Sequence, residues 1–521
     1  MSTTAQALAK LNKFDLSHGV KGTMDMGKLY PVGYIETVPN DWFKIQQEFL
    51  CRFLATLAPV MHLFKIRFRW YYTPFRILLE RGVWDDFITG GKDGTDSTVL
   101  PYIMSGANGF AKGSLADHFG MPVGVPNLKV SAFPFRAYAM IYNEVYRNQA
   151  LQDEVALSFA TGQDTTTNTD ILKRPWQRDY FTNQLPSPQK GPAVALPLAS
   201  SGAPVMTGTG VNKFNSIIIN TSNPATVQLG GVPGTVGSWS SPGQLTANTL
   251  KAPAENVNSG FYADLSDVTA VSIEQVRRAF AVQKFQYHNM IWGNRYTEWI
   301  QSTFGIKPLD ASLQRPQYVG GFTTPMVISE VLQTSETTSE SAQGNMAGHG
   351  VGAGTSHVMR FHSYENGCLM CLMSIMPNTD YYQGLRRDFS RETRYDFLQP
   401  LLSRLGEQGT KNKEIYAQGS SVTDTDGNVV DDKIFGYAPR YQEYRQIPSY
   451  VVGEMRDTLE YWQDGRKFSE LPVLNSEFIE STPSTRIFAV EQNTDHIVFQ
   501  VANHVKALRP LDKYGRTGLV A

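Results

Sequence analysis

Residues 63–72, LFKIRFRWYY, alternate strictly. Phe64, Ile66, Phe68 and Trp70 fall on one side of an extended chain and Lys65, Arg67 and Arg69 on the other. Such a segment is stable only where one face meets an apolar core and the other meets water or anions, so it predicts a strand in a half-covered β-sheet. Same-face residues on a strand repeat every ~6.5–7 Å, close to the phosphate spacing of an extended nucleic acid. The cationic row therefore suits a nucleic-acid backbone, or the carboxylates of a neighbouring strand or subunit, which is the commoner arrangement.

The same reasoning predicts strands over 29–38 and 42–53, parted by the turn Pro39-Asn40-Asp41, over 321–334 and 357–377, and finally over 486–490 and 496–505. Residues 1–28 read as a polar, extended arm. A short helix is expected over 75–88, ended by Gly90-Gly91. A second is expected over 134–149. Pro134 suits its first position, and Phe135, Tyr138, Ile141, Tyr142 and Val145 form an apolar stripe beside the polar Arg136, Asn143 and Arg147. The pattern Ser272-x-x-Gln275 opens a long helix that Gly305 and Pro308 stop near Phe304. It carries Arg277, Arg278 and Lys284 among Phe280, Phe285, Tyr287, Trp292 and Tyr296. That mixture fits stacking on single-stranded DNA or a packing helix with one solvated side. Residues 173–192 contain Pro186, Pro188 and Pro192 and read as an extended loop. Residues 195–260 are rich in Gly, Ser, Thr, Asn and Pro and nearly free of charge, as in a linker or an ordered insertion.

Composition narrows the chemistry. A formal net charge of −1 does not draw a chain to nucleic acid in bulk, so any such contact is confined to one face. Charged residues are only 18%, with 44 Gly and 28 Pro, which favours loop-rich β structure. Three cysteines cannot build a disulfide framework and fit a reducing compartment. The N-terminus lacks an apolar signal region, and no run approaches the ~18 apolar residues of a membrane span. Cys368 and Cys371 have the spacing of half a zinc site, but the other half is missing. Residues i and i+3 on a strand also point to opposite faces, so core cysteines are expected. The glycine run 348–354 fails both phosphate-loop patterns and reads as a tightly turned connection. The pairs Asp85-Asp86 and Asp431-Asp432 are adjacent and give no acid/base division of labour. No catalytic residue, cofactor or metal is expected.

Several long stretches occur in a telling order. FPFRAYAMIYNEVYRNQ (133–149) and RDYFTNQLPSPQKGP (178–192) are joined by FDLSH (14–18), LAPVMH (57–62), WDDFITGG (84–91), GNMAGHG (344–350) and FGYAPRYQEYRQIP (435–448). Together they resemble the major capsid protein of the microviruses, small single-stranded-DNA bacteriophages, and most closely the gokushovirus-like branch. The resemblance runs from near the N-terminus to beyond residue 450. It implies a mainly β fold, a single eight-stranded antiparallel jelly roll with long loop and helix insertions at 75–192 and 272–304. Residues 195–260 would then project as a surface protrusion at the threefold axes and contact the host. The implied protein is structural, resides in the virion, and is assembled in the bacterial cytoplasm. About sixty copies would form a T=1 icosahedral shell around a circular single-stranded DNA genome. Implied partners are further copies of the chain, the viral DNA, a DNA-pilot protein, a small internal DNA-binding protein, a scaffolding protein and a host receptor, with no membrane insertion. Candidate DNA contacts are Lys65, Arg67, Arg69, Arg277, Arg278 and Lys284. Candidate subunit contacts are Arg136, Tyr138, Tyr142 and Arg147 in the helix, and Tyr437, Arg440, Tyr441, Tyr444 and Arg445, where interleaved Tyr and Arg suit a protein interface better than DNA. The rival readings are a tail or receptor-binding phage protein and a β-rich carbohydrate-binding protein.

Overall fold

The computed structural model describes residues 11–192, 194, 206–208, 217–218, 228–229, 261–263, 273–291, 293, 295–332, 346–490 and 494–513. Ten antiparallel strands join in one continuous sheet. They are β1 (Asn12–Asp15), β2 (His18–Met24), β3 (Tyr30–Thr37), β4 (Trp42–Phe53), β5 (Phe64–Pro74), β6 (Gln317–Leu332), β7 (Met346–Thr355), β8 (Met359–His362), β9 (Gly367–Pro377) and β10 (Ile497–Arg509). Their order is β1-β10-β4-β7-β6-β5-β9-β3, with β2 also on β10 and β8 also on β4.

The strand anticipated from alternation is β5, and Phe64, Ile66, Phe68 and Trp70 are fully buried on its inner face. They meet Phe43, Ile45, Phe49 and Phe53 of β4 and Phe499, Val501 and Val505 of β10 in one core. A flat sheet would hold β10 and β3, six places apart, ~29 Å from each other. Instead Asn503 Nδ2 of β10 donates to the Val32 carbonyl of β3 at 2.9 Å. The sheet therefore curls over on itself into a jelly-roll-like sandwich. Between its layers lies a buried polar chain. Trp70 Nε1 donates to Gln47 Oε1 (2.8 Å), and Gln47 Nε2 donates to Asn503 Oδ1 (2.7 Å).

Among the described residues the expected jelly roll is built from ten strands in one hydrogen-bonded set, because β6 and β7 turn the corner and join its two layers. Residues 317–326 of β6 pair with β5 and residues 327–332 pair with β7. Residues 351–355 of β7 then pair with β4. The glycine run read as a loop is thus a strand, and its glycines permit the close approach. A Cβ at Gly352 would stand 2.3 Å from Ile66 Cδ1, and one at Gly350 would stand 2.9 Å from the Phe53 ring. Gly352→Val is expected to destabilise the fold by ~1–3 kcal/mol through overpacking, read as a lowered denaturation midpoint. An unchanged midpoint would mean that the corner is loosely packed.

Other expectations shift for local reasons. Part of the supposed arm, residues 12–24, forms β1 and β2 on β10. The helix over 75–88 is instead a single turn, Phe75–Leu78, and α1 (Val83–Thr89), broken at Gly82 with φ of 89°. The helix over 134–149 is α2 (Phe133–Ile141), which widens into a π turn at Tyr142–Tyr146. The long helix is two, α3 (Ile273–Ile291) and α4 (Tyr296–Phe304), parted around Gly293 with φ of 97°. Residues 486–490 form no strand, although Ile487 and Phe488 are fully buried. Ser272 lies outside the described residues.

The 75–192 insertion packs α2 on the outer face of β5, β9 and β3, where Phe135, Tyr138 and Ile141 meet Leu29, Tyr71, Met370 and Leu372. Strand β9 is consequently buried on both faces. Cys371 lies in the inner core and Cys368 in the outer cluster, opposite faces as the spacing requires. Residues 191–286 form a separate compact unit. Within it Phe261–Ala263 pairs with Met206–Gly208, and Gln228–Leu229 pairs with Ile217–Ile218. The rest of the 195–260 segment lies outside the described residues.

Burial pushes the Asp464 carboxyl up from 3.8 to about 8, against the Arg486 charge and the Ser484 amide. The unfolded chain ionises this group near pH 4, whereas the folded chain holds its proton to about pH 8. Its stabilising contribution is therefore full below pH ~4 and is lost as pH rises to ~8, by at most ~1.4 kcal/mol per pH unit. Asp464→Asn should remove that part of the slope in denaturation midpoints taken between pH 5 and 7. A slope identical in both proteins would show that Asp464 ionises normally.

Candidate nucleic-acid interface

The outward residues of β5 are half-buried, and two of them are tied down within the chain. Arg69 is tied to main chain and hydroxyl, with Nη1 donating to the carbonyls of Phe68 and Phe322 (2.8 Å each) and Nη2 to Thr323 Oγ1 (3.2 Å). It thereby clamps β6 beside the irregular register at Tyr318/Gly320. Arg67 Nη2 donates to Gln177 Oε1 in the segment after α2. Opposite Arg67 in the sheet lies Ser374 of β9, whose hydroxyl accepts from Arg174 Nη1 at 2.9 Å. Among the described residues, no hydrogen bond or ion pair joins this row to a carboxylate. Arg67 and Arg69 instead floor a cavity of about 470 Å³, while Lys65 is not among its lining residues.

Its walls bring together Arg147, Arg174, Arg178 and Arg295 with Trp176 and Tyr146, and none of the lining residues is acidic. Arg147 Nη2 pairs with Glu154 at 2.8 Å and Arg295 Nη1 with Glu298 at 3.3 Å, both away from the lining. Burial, and then the charges of Arg174 and Arg69, push Arg67 down to about 10. Burial lowers Arg174 as well. Like charges repel more strongly when partly buried, so Arg67, Arg69, Arg174 and Arg178, which form no ion pair among the described residues, leave the cavity with surplus positive charge. Sequence reasoning missed Arg174, Arg178 and Trp176, although KRPWQR flags them as cations around an aromatic residue in an extended segment. Arg295 is distant in sequence and gives no such signal.

Helix α2 and its π turn carry four of the expected subunit contacts. Arg136 is fully buried, with Nη2 2.8 Å from Asp164 and further bonds to the carbonyls of Leu78 (3.0 Å) and Ala160 (2.7 Å). Burial alone would raise the Asp164 carboxyl; the Thr167 amide and hydroxyl and the Arg136 guanidinium overcome it and hold it below its ordinary range. Tyr138 donates to the Leu29 carbonyl (2.8 Å) and accepts from the Leu172 amide (2.9 Å), and Tyr142 donates to the Lys173 carbonyl (3.1 Å). All three side chains are buried within one chain: Arg136 fastens the 160–164 segment and the two tyrosines fasten 172–173, so they are not surface contacts. Arg147, the fourth, lines the cavity.

The remaining candidates lie elsewhere. Arg277 and Lys284 are exposed, seven residues apart on one face of α3, and Arg278 beside them is also exposed. They belong to the 191–286 unit. Tyr441 is buried at a positive φ of 63°, donating to the Tyr395 carbonyl, and Arg440 stacks on its ring. Tyr437 pairs its main chain with Leu185. Only Tyr444 and Arg445 of that group are exposed. Sequence reasoning missed the surrounding apolar surface, in which Phe389, Leu401, Leu405, Ile447, Tyr450 and Val452 are all exposed. Large exposed apolar residues gathered in adjacent loops mark a protein-contact surface.

Among the described residues no group of His, Cys, Asp or Glu is arranged to hold a metal ion. No described helix is long and apolar enough to cross a membrane.

A family model described as capsid protein (F protein) matches residues 2–519. Capsid protein VP1 of Chlamydia phage 1 is 33% identical, over 99% of this chain and 97% of the relative. Capsid protein VP1 of Bdellovibrio phage phiMH2K is 36% identical, over 92% and 90%. Capsid protein VP1 of Spiroplasma virus 4 is 28% identical, over 98% and 95%.

Proposed function

The chain belongs to the capsid protein (F protein) family, and from that premise we propose that about sixty copies close a T=1 icosahedral shell around a circular single-stranded DNA genome. As a major capsid protein of the microviruses it is a structural component of the virion and not an enzyme. Self-assembly follows from that role. The observation that carries the proposed geometry is the apolar surface of the 385–405 and 444–452 loops, exposed in the single chain. Neighbouring copies bury it, with Tyr444 and Arg445 at its margin.

In this reading the genome is held by confined basic features rather than by bulk charge: the arginine cavity above β5 and the Arg277, Arg278 and Lys284 face of α3. Lys65, partly exposed on the same face of β5 as Arg67 and Arg69, adds to the first of these. Residues 195–260 form the outward protrusion that meets a host receptor. Assembly takes place in the bacterial cytoplasm with a scaffolding protein, and the finished particle also contains a DNA-pilot protein and a small internal DNA-binding protein. Nuclease treatment of purified particles tests the enclosure. Protected circular single-stranded DNA supports it, whereas particles that protect no DNA, or only duplex DNA, oppose it.

A further inference from the structure

Four buried donors around one cavity have no acceptor among the described residues. Arg67 Nε, Arg147 Nε, Arg295 Nε and Trp176 Nε1 are each without a hydrogen-bond partner, and all four residues line the arginine cavity above β5. Buried polar groups are ordinarily paired. Arg136 illustrates this, since its guanidinium ends on one carboxylate and two carbonyls. Donors held ready by burial, with cations crowding one another and no acidic residue in the lining, describe a site whose partner comes from outside the chain.

We propose that this cavity is an oxyanion site that takes a phosphate group, of the kind carried by a nucleotide backbone or by free inorganic phosphate. Guanidinium forks match phosphate oxygens in bidentate geometry. A carboxylate offers one charge and two oxygens, too few for four unpaired donors and the surplus of cations. Phosphate offers more charge and more acceptors. The volume of about 470 Å³ lies in the range that admits a nucleotide-sized ligand. Its anion would relieve the repulsion that lowers Arg67. The nucleotide source rests on the proposed enclosure of DNA; the phosphate site itself does not.

The test is calorimetric titration of the full chain, at fixed ionic strength, with inorganic phosphate and separately with a short oligothymidylate. The informative variant is Arg174→Gln/Arg178→Gln. Arg178 is exposed at the rim and Arg174 donates to Ser374, so the change leaves the main-chain bonds of Arg69 intact. The control is Lys44→Gln/Lys506→Gln, a directly opposed pair on the outer face of β4 and β10, where the same charge is lost from another surface. Both ligands should bind, both should weaken about tenfold or more in the arginine variant, and neither should change in the control. Arg174→Lys/Arg178→Lys should recover part of the affinity, because charge returns without the fork. Phosphate binding without oligothymidylate binding supports a free-phosphate site and overturns the nucleotide source. Equal weakening by the arginine variant and the control would reveal bulk charge and overturn the site. So would a wild-type chain that binds neither ligand, or a neighbouring copy's carboxylate seated in the cavity of assembled particles. Particles that protect no DNA although phosphate binding is intact would defeat the enclosure and leave the site standing.

Discussion

Replacing Arg136 by Leu is expected to destabilise the insertion over 75–192 by ~3–5 kcal/mol. The change leaves Asp164 ionised and fully buried, and it strands the carbonyls of Leu78 and Ala160. A buried charge without its partner is far more costly than the pair was favourable. Arg136→Lys should recover only a fraction, because an ammonium cannot hold one carboxylate and two divergent carbonyls in the same plane. Limited proteolysis reads the effect locally. The 150–170 region, fastened through Asp164 and Thr167, should be cut much faster in the Leu variant while the sheet resists. Equal cutting rates would show that the insertion is held by α2 packing alone.

Trp70→Ala is expected to lower global stability by ~3–5 kcal/mol. The indole is fully buried between the two layers of the curled sheet. Its removal leaves a cavity and also takes the donor from Gln47 Oε1. Gln47 in turn holds Asn503, which reaches the Val32 carbonyl of the strand at the far end of the sheet order. Trp70→Phe restores most of the volume but not the donor, so it should fall between wild type and the Ala variant. Equal destabilisation by Phe and Ala would place the whole effect in the hydrogen bond. A neutral Ala variant would mean that the layers do not share this core.

Much of the sheet was legible. Alternation in 64–70 and 42–53 located β5 and β4, because a half-covered strand must separate apolar from polar side chains at every second residue. The spacing of Cys368 and Cys371 likewise predicted two faces. The glycine run 348–354 misled because glycine has no side chain with which to show alternation. Only the neighbours, Phe53 and Ile66, reveal that its missing Cβ atoms are what lets β7 turn the corner. The arginines of α2 and β5 were recognised as special, but their partners were not. A guanidinium that binds carbonyls, as Arg69 does, looks the same in sequence as one that faces solvent. The cavity gathers residues from 67 to 479, and such convergence is a property of topology rather than of any local pattern. The exposed apolar loops were equally hidden, since a Leu or Phe in an irregular stretch gives no sign of whether it turns inward.

Electron cryo-microscopy of particles made in cells that produce this chain with the other proteins of its virus addresses the central claim, that this is a building block whose loops exist to meet identical neighbours. The predicted result is a closed shell of uniform small size. Each repeat should be one curled ten-stranded sheet, with Phe389, Leu401 and Ile447 covered by an adjoining copy. Open fibres, or a closed shell whose neighbours leave the 385–405 and 444–452 loops in solvent, would contradict it.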